Sequence, residues 1–164
     1  MLSPDFIERN GHIAFDAVSQ KNKKLNTSAI ESLGHSGQVL VLPKSKDMKG
    51  SQYAEYKIFT FSKGDFKLSV GSIPIHPKGD EDLRYAVVID DQAAVTESTK
   101  TAYHSKEWAA RVLRNQLLSN TRHTIEKPGM HAIRIYALDE DMYLDQIMLD
   151  FDMDRKFYVI PSRN

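Results

Sequence analysis

Apolar and polar residues alternate along most of this chain. A period of two marks a strand with one buried face. Ile13, Phe15 and Ala17 share one face of a first short strand. Gln38 to Pro43 reads as a second, and Tyr53 to Phe61 as a longer one with polar residues interleaved. In the segment from Asp65 to Ile75, Phe66, Leu68 and Val70 lie on one face. The apolar phase then switches at Gly71 to Ile73 and Ile75, and a glycine at a phase switch predicts a bulge. Leu83, Tyr85, Val87 and Ile89 alternate up to Asp90-Asp91, which reads as a turn.

One segment carries the helical period instead. Ser105 is its expected N-cap, and Trp108, Ala109, Val112, Leu113 and Leu117 fall on one side of a helix over 105–118. Strands then resume at Arg122–Glu126. Lys127-Pro128-Gly129 has the residues of a type II turn and predicts a hairpin, with His123 and His131 as cross-strand neighbours. His131, Ile133, Ile135 and Ala137 alternate after it, as do Ile147, Leu149 and Phe151, and Phe157 and Val159 close the chain. About eight to ten short strands and one short helix predict an all-β fold, an antiparallel β-sandwich of jelly-roll type. No repeat or linker interrupts it, so residues 6–160 read as a single domain with flexible ends at 1–5 and 161–164.

Composition narrows the function classes. The 164 residues hold 22 basic and 22 acidic side chains and no cysteine. Zero net charge argues against nucleic acid as partner. The absence of cysteine excludes disulfides, thiol catalysis and cysteine-based zinc sites. Charge is uneven: residues 1–78 carry 11 basic and 7 acidic groups, residues 79–164 carry 11 and 15. Halves of opposite sign suit one domain in which they pack together. No apolar run approaches about 18 residues, so no membrane helix is expected. The N-terminus has no apolar core of the signal-peptide kind.

Few motifs carry chemistry. Gly34-His35-Ser36-Gly37 approaches a nucleophile elbow, but Gln38 stands where the second glycine belongs, and a strand follows where a helix should. A glycine turn feeding a strand is the better reading. The six histidines show no i, i+4 or H-x-H pair of the zinc type. Seven acids fall between 139 and 154 without a lysine or arginine among them, yet Asp150-Phe-Asp-Met-Asp154 lacks the glycine and closing glutamate of an EF-hand. Trp108 faces the apolar side of its helix, which predicts core packing. Tyr103, just before that helix, is the loop aromatic best placed to meet a sugar ring.

Several segments together resemble a known domain. Ser72-Ile-Pro-Ile-His-Pro77 and then Leu83-Arg-Tyr-Ala-Val-Val-Ile-Asp90 look like the central strands of the C-terminal domain of glycoside hydrolase family 115. The stretch Trp108 … Val112-Leu113-Arg114-Asn115 is similar to that domain's helical segment. Gly129-x-His131-x-Ile133-x-Ile135, Asp139 and Leu144-x-x-Ile147 match its closing pattern, and Gly11 to Ala17 and Gly34 to Pro43 its first two strands. Where the family carries Asp-Pro-Gly before the last core strand, this chain has Asp139-Glu140-Asp141.

The resemblance implies a galactose-binding-like β-sandwich and a non-catalytic accessory domain of an α-glucuronidase-like hydrolase acting on glucuronoxylan. The chain by itself is then not an enzyme. The implied partners are an upstream catalytic domain, plant cell-wall glycan of the xylan type and a second copy in a homodimer, with no nucleic acid and no membrane. The implied location is periplasmic or extracellular. Carbohydrate-binding candidates are Tyr103, Arg84, Asn115 and His76, because such side chains stack on sugars or donate to hydroxyls and uronate carboxylates. The alternatives are a packing or dimerisation module that binds no sugar, and a free-standing hydrolase using the acids at 139–154. No cofactor is expected. Related modules hold a structural calcium through Glu-Ala-Glu in the first strand and an aspartate near the last. Asp16-Ala17-Val18 keeps one of the first two acids and Asp150 supplies the other position. Asp16 and Asp150 are therefore the metal candidates, and the missing acid predicts that no calcium binds.

Overall fold

The computed structural model describes residues 3–45, 47–75, 82–99, 106 and 116–155. Eleven strands are found among the described residues. They are β1 (Phe6–Ile7), β2 (His12–Asp16), β3 (Ala29–Glu31), β4 (Gln38–Leu42), β5 (Ala54–Thr60), β6 (Gly64–Ser72), β7 (Arg84–Ile89), β8 (Val95–Ser98), β9 (Leu117–Ile125), β10 (Gly129–Ala137) and β11 (Met142–Asp150). A five-stranded sheet runs β1-β5-β10-β7-β8. A six-stranded sheet runs β3-β4-β11-β6-β9, with β2 also paired to β11. All pairs between strands are antiparallel except β1 with β5.

Alternation decides which face is buried. Ala54, Tyr56 and Ile58 of β5, Tyr85, Val87 and Ile89 of β7, and Ile133, Ile135 and Ala137 of β10 face inward from one sheet. Ile13 and Phe15, Phe66, Leu68 and Val70, and Ile147 and Leu149 meet them from the other. These side chains form one apolar cluster spanning both sheets. Two tyrosines are buried with partners for their hydroxyls. Tyr56 donates to the Ala17 carbonyl at 2.8 Å, and the Tyr85 hydroxyl lies 2.8 Å from Ser119 Oγ. Burial raises the pKa of both, that of Tyr85 to about 12.

Three expectations need correction. A helix over 105–118 cannot include its last residues: Leu117 and Leu118 open β9, paired with Ser72 and Gly71. Two leucines fit either period, and the long edge of β6 decides for the strand. Lys106 is helical, and the remaining residues of 105–115, with Trp108, lie outside the described ones. His123 and His131 are not cross-strand neighbours. His123 faces Phe66 in one sheet and His131 faces Ile58 in the other, so residues 126–128 cross between sheets instead of closing a hairpin. The bulge also lies elsewhere: β6 runs unbroken through Gly71, and the register shift falls opposite it on β11, between Leu144 and Gln146. Gly71 answers a close approach, because a Cβ there would stand 2.8 Å from Gln116 Nε2 and 3.2 Å from the Gln146 carbonyl oxygen.

Candidate functional site: an arginine and two tyrosines on the five-stranded sheet

Since residues 54, 56, 58 and 60 of β5 point inward, Tyr53, Glu55, Lys57 and Phe59 point outward, and all four are half-buried. On β10 the outward residues are Met130, Ala132, Arg134 and Tyr136. Pairing sets Arg134 opposite Glu55. Arg134 Nε donates to Glu55 Oε2 at 2.9 Å, and the same hydrogen bond raises the arginine's pKa further. One step along, the rings of Tyr53 and Tyr136 meet at 5.3 Å with a 47° tilt. The Arg134 guanidinium carbon lies 5.7 Å from the centre of the Tyr53 ring, within cation–π range. Tyr136 is the buried member of the pair, and burial raises its pKa. The arrangement presents a held, partly open guanidinium beside a half-exposed aromatic ring. That combination can donate to a hydroxyl or carboxylate while a pyranose face rests on the ring.

Arg84 belongs to the same outward surface, one step past Ala86, which pairs with Tyr136. Its side chain is 49% exposed, and two of its three nitrogens are committed. Nε and Nη2 reach Asp139 at 2.9 and 2.8 Å, and the Arg84 amide donates to the same carboxylate at 2.7 Å. Hydrogen bonding by Arg84 lowers the Asp139 pKa. Tyr103, Asn115 and His76 lie outside the described residues.

The other sequence candidates resolve into structural roles. Asp145 is the extra residue of the β11 bulge and is fully buried. It accepts from the amides of His35 (2.8 Å) and Ser36 (3.3 Å) and from Gln116 Nε2 (2.9 Å), and His35 Nδ1 lies 3.3 Å away. Ser36 Oγ stands 3.0 Å from Asp145 Oδ1 and 2.7 Å from the Gln38 carbonyl oxygen. Serine, histidine and aspartate thus meet, but the hydroxyl addresses the carboxylate and a carbonyl rather than the imidazole, so the serine–histidine contact of a triad is not made. The glycine turn feeds β4, as expected from the sequence. Elsewhere in the acidic stretch, Asp141 accepts the Lys44 amide at 2.8 Å.

Asp16 and Asp150 do not meet. Asp16 pairs with Gln146 and Asp150 with His12, four register steps apart on the same strand pair, which is about 13 Å. Asp150 is fully buried, its Oδ2 has no hydrogen-bond partner, and Arg155 Nε stands 3.7 Å from it. Arg155 also contacts Asp152 at 3.6 Å, His12 Nδ1 at 3.1 Å and the Asn10 carbonyl at 3.2 Å. Calcium wants six to eight oxygens. Among the described residues, no group of three or more histidines or acids is arranged to hold an ion. The donor set does not fit calcium, and a guanidinium supplies the positive charge beside Asp150.

A cleft of about 430 Å³ opens between the turn after β7 and the crossing after β9. Asp90, Gln92, Lys127 and His131 line it. His131 is engaged on both nitrogens, Nδ1 with Asp90 at 2.7 Å and Nε2 with the Lys127 carbonyl at 2.9 Å. The lining contains no aromatic ring other than that imidazole.

Comparison with known proteins places this architecture. Residues 5–163 match the glycosyl hydrolase family 115 C-terminal domain. The chain belongs to that family. A solved family 115 4-O-methyl-α-glucuronidase with specificity for decorated arabinogalactans superposes with a TM-score of 0.72 at 25% identity. The match takes in 87% of this chain and 18% of that one, so the chain spans under a fifth of that hydrolase. A family 35 carbohydrate-binding module from Clostridium thermocellum superposes at 0.63 with 10% identity, over 84% of this chain and 97% of that one. The carbohydrate-binding-module-bearing β-(1,4)-mannanase of Podospora anserina gives 0.58 at 14% identity, over 90% of this chain and 29% of that one. No curated protein sequence matches. The chain thus shares its β-sandwich fold with that carbohydrate-binding module.

Proposed function

We propose that this chain is the non-catalytic accessory domain of a family 115 hydrolase and that it contacts glycan through the Tyr53–Arg134–Tyr136 surface. The observation that carries the reading is the guanidinium of Arg134 held by Glu55 beside the Tyr53 ring, on a fold shared with carbohydrate-binding modules. A uronate-bearing glycan, of glucuronoxylan or of decorated arabinogalactan, suits it best, because a planar guanidinium pairs with a carboxylate through parallel hydrogen bonds. Contact is weak: one half-exposed ring and one arginine make a small site, and binding must offset the lost freedom of the sugar. Arg84 borders the surface as a secondary contact, and Tyr103, Asn115 and His76 remain candidates from the sequence. Catalysis belongs to an upstream domain of the parent chain, and such a hydrolase works outside the cytoplasm, in the periplasm or secreted.

Titration with aldouronic xylo-oligosaccharides and with arabinogalactan oligosaccharides, followed by amide NMR shifts, tests this. Shifts should centre on residues 53–55 and 134–136 and disappear in Arg134→Ala. Shifts centred elsewhere, or none at millimolar sugar, would reject the surface. Release of 4-O-methylglucuronic acid from xylan by the purified chain would overturn the non-catalytic reading.

A further inference from the structure

Four lysines of the first half of the chain gather at one place. Residues 20–25 and 47–53 hold Lys21, Lys23, Lys24 and Lys49 against one acid, Asp47. Asn22 pins the two segments together, and it is buried while the lysines on either side of it are exposed. Its Nδ2 donates to the carbonyls of Ser51 at 2.8 Å and Tyr53 at 2.9 Å, and its Oδ1 accepts the Lys24 amide at 3.0 Å. Ser51 Oγ donates back to the Lys24 carbonyl at 3.4 Å. The Lys21 amide donates at 2.9 Å to the carbonyl of Glu55, the residue whose carboxylate holds Arg134. The lysine loops therefore border the Tyr53–Arg134 surface. Lys21 Nζ lies 3.9 Å from Asp5 Oδ1. Among the described residues, Lys23, Lys24 and Lys49 have no ion-pair partner.

We propose that these loops bind a polyuronate, a glycan whose carboxylates recur along its chain; the proposal deepens the glycan reading above and rests on it. Like charges on pinned loops repel one another, and an anionic ligand relieves that repulsion. An ammonium is a point charge on a flexible stem and pairs with a carboxylate from many directions. A polymer of uronates can therefore lie across several lysines without one fixed pose. The planar guanidinium of Arg134 and the ring of Tyr53 meanwhile take a single sugar in a set orientation. Each exposed ammonium adds little by itself, so strength comes from engaging several at once. Two observations favour a glycan over a nucleic acid. The chain has zero net charge, so the basic surface is local rather than spread over a face. The surface it borders offers an aromatic ring beside an arginine on a fold shared with a carbohydrate-binding module.

Affinity electrophoresis and calorimetry with polygalacturonate test the proposal, with the same polymer reduced at its carboxylates as the neutral twin. The chain should bind the charged polymer and not the reduced one. Affinity should fall roughly tenfold between about 50 and 200 mM salt, as release of counterions from the polymer demands. Lys23→Gln, Lys24→Gln and Lys49→Gln combined should weaken binding roughly tenfold at low salt and flatten the salt dependence, with the melting temperature unchanged. Lys63→Gln, Arg122→Gln and Lys127→Gln combined remove the same charge from other exposed positions and should leave binding as it was. Equal binding of the charged and reduced polymers overturns the proposal, and so does an equal loss in the two triple variants. Retention of single-stranded DNA as strong as that of the polyuronate also overturns it, since the loops then take any polyanion. The two readings fail separately. Absence of shifts with short aldouronic sugars counts against the Tyr53–Arg134 contact, whereas a polymer that ignores the three lysines counts against the loops.

Discussion

At the scale of single residues, the interior polar groups are the most telling. His123 is buried in the six-stranded sheet, its ring stacked on Phe66 at 5.5 Å and its Nε2 2.8 Å from Thr121 Oγ1. Burial pushes its pKa down from 6.5 to about 4. The unfolded chain therefore takes up a proton between those values while the folded one does not. The imidazole's contribution is intact above about pH 6.5 and is lost as pH falls toward about 4, by at most about 3 kcal/mol. Urea unfolding across that range should show it as a slope that His123→Gln reduces. A wild-type minus variant difference that stays flat from neutral to acid would exclude the effect. The sequence placed this histidine on an alternating strand but could not reveal its neighbour. Phe66 lies 57 residues away and meets it only through the pairing of β6 with β9. Tyr53 and Tyr136 were hidden for the same reason. Alternation shows that Tyr136 faces away from Ile135, yet nothing local tells which of the six other tyrosines lies beside it.

Elements show the same division between what is local and what is not. Strands with a strict apolar period, such as β6 with Phe66, Leu68 and Val70, were legible. β1 and β3 have two and three residues, too few for a period, and β8 buries little. The turn at 32–37 was legible as a glycine turn, but its purpose was not, because Asp145 lies more than a hundred residues on. That turn clamps the β11 bulge. Gly34 has φ +75°, and a Cβ there would stand 2.5 Å from Asp145 Oδ1 and 2.9 Å from Val39 Cγ2. Gly37, in the same turn, has φ +82° with nothing within 4 Å of its Cβ position. Gly37→Ala should therefore lose only the cost of a left-handed backbone, about 1–2 kcal/mol. Gly34→Ala adds displacement of a buried carboxylate and should lose about 2–4 kcal/mol. Chemical-denaturation midpoints compare the two directly, and equal losses would mean that the Asp145 cage yields without cost.

For the molecule as a whole, the two halves of the sequence interleave rather than form lobes. Each sheet takes strands from both halves, and Glu55 with Arg134 and His35 with Asp145 join them. The apolar cluster is likewise undivided, with Tyr56, Phe66, Ile135 and Ile147 from both sheets in one core. Such a core predicts unfolding in one step, without a stage at which one sheet persists alone. Ile135 is fully buried at the centre of β10, between β5 and β7. Ile135→Ala should cost about 2–5 kcal/mol, the usual penalty for emptying such a site. Because the lost contacts belong to both sheets, the variant should still unfold in a single transition, shifted to lower denaturant, with the same midpoint by far-ultraviolet and near-ultraviolet circular dichroism. Separate midpoints from the two probes would mean that the sheets can come apart. The face that carries Tyr53 and Arg134 would then owe its geometry to its own sheet alone, and sugar binding should survive the first of the two transitions.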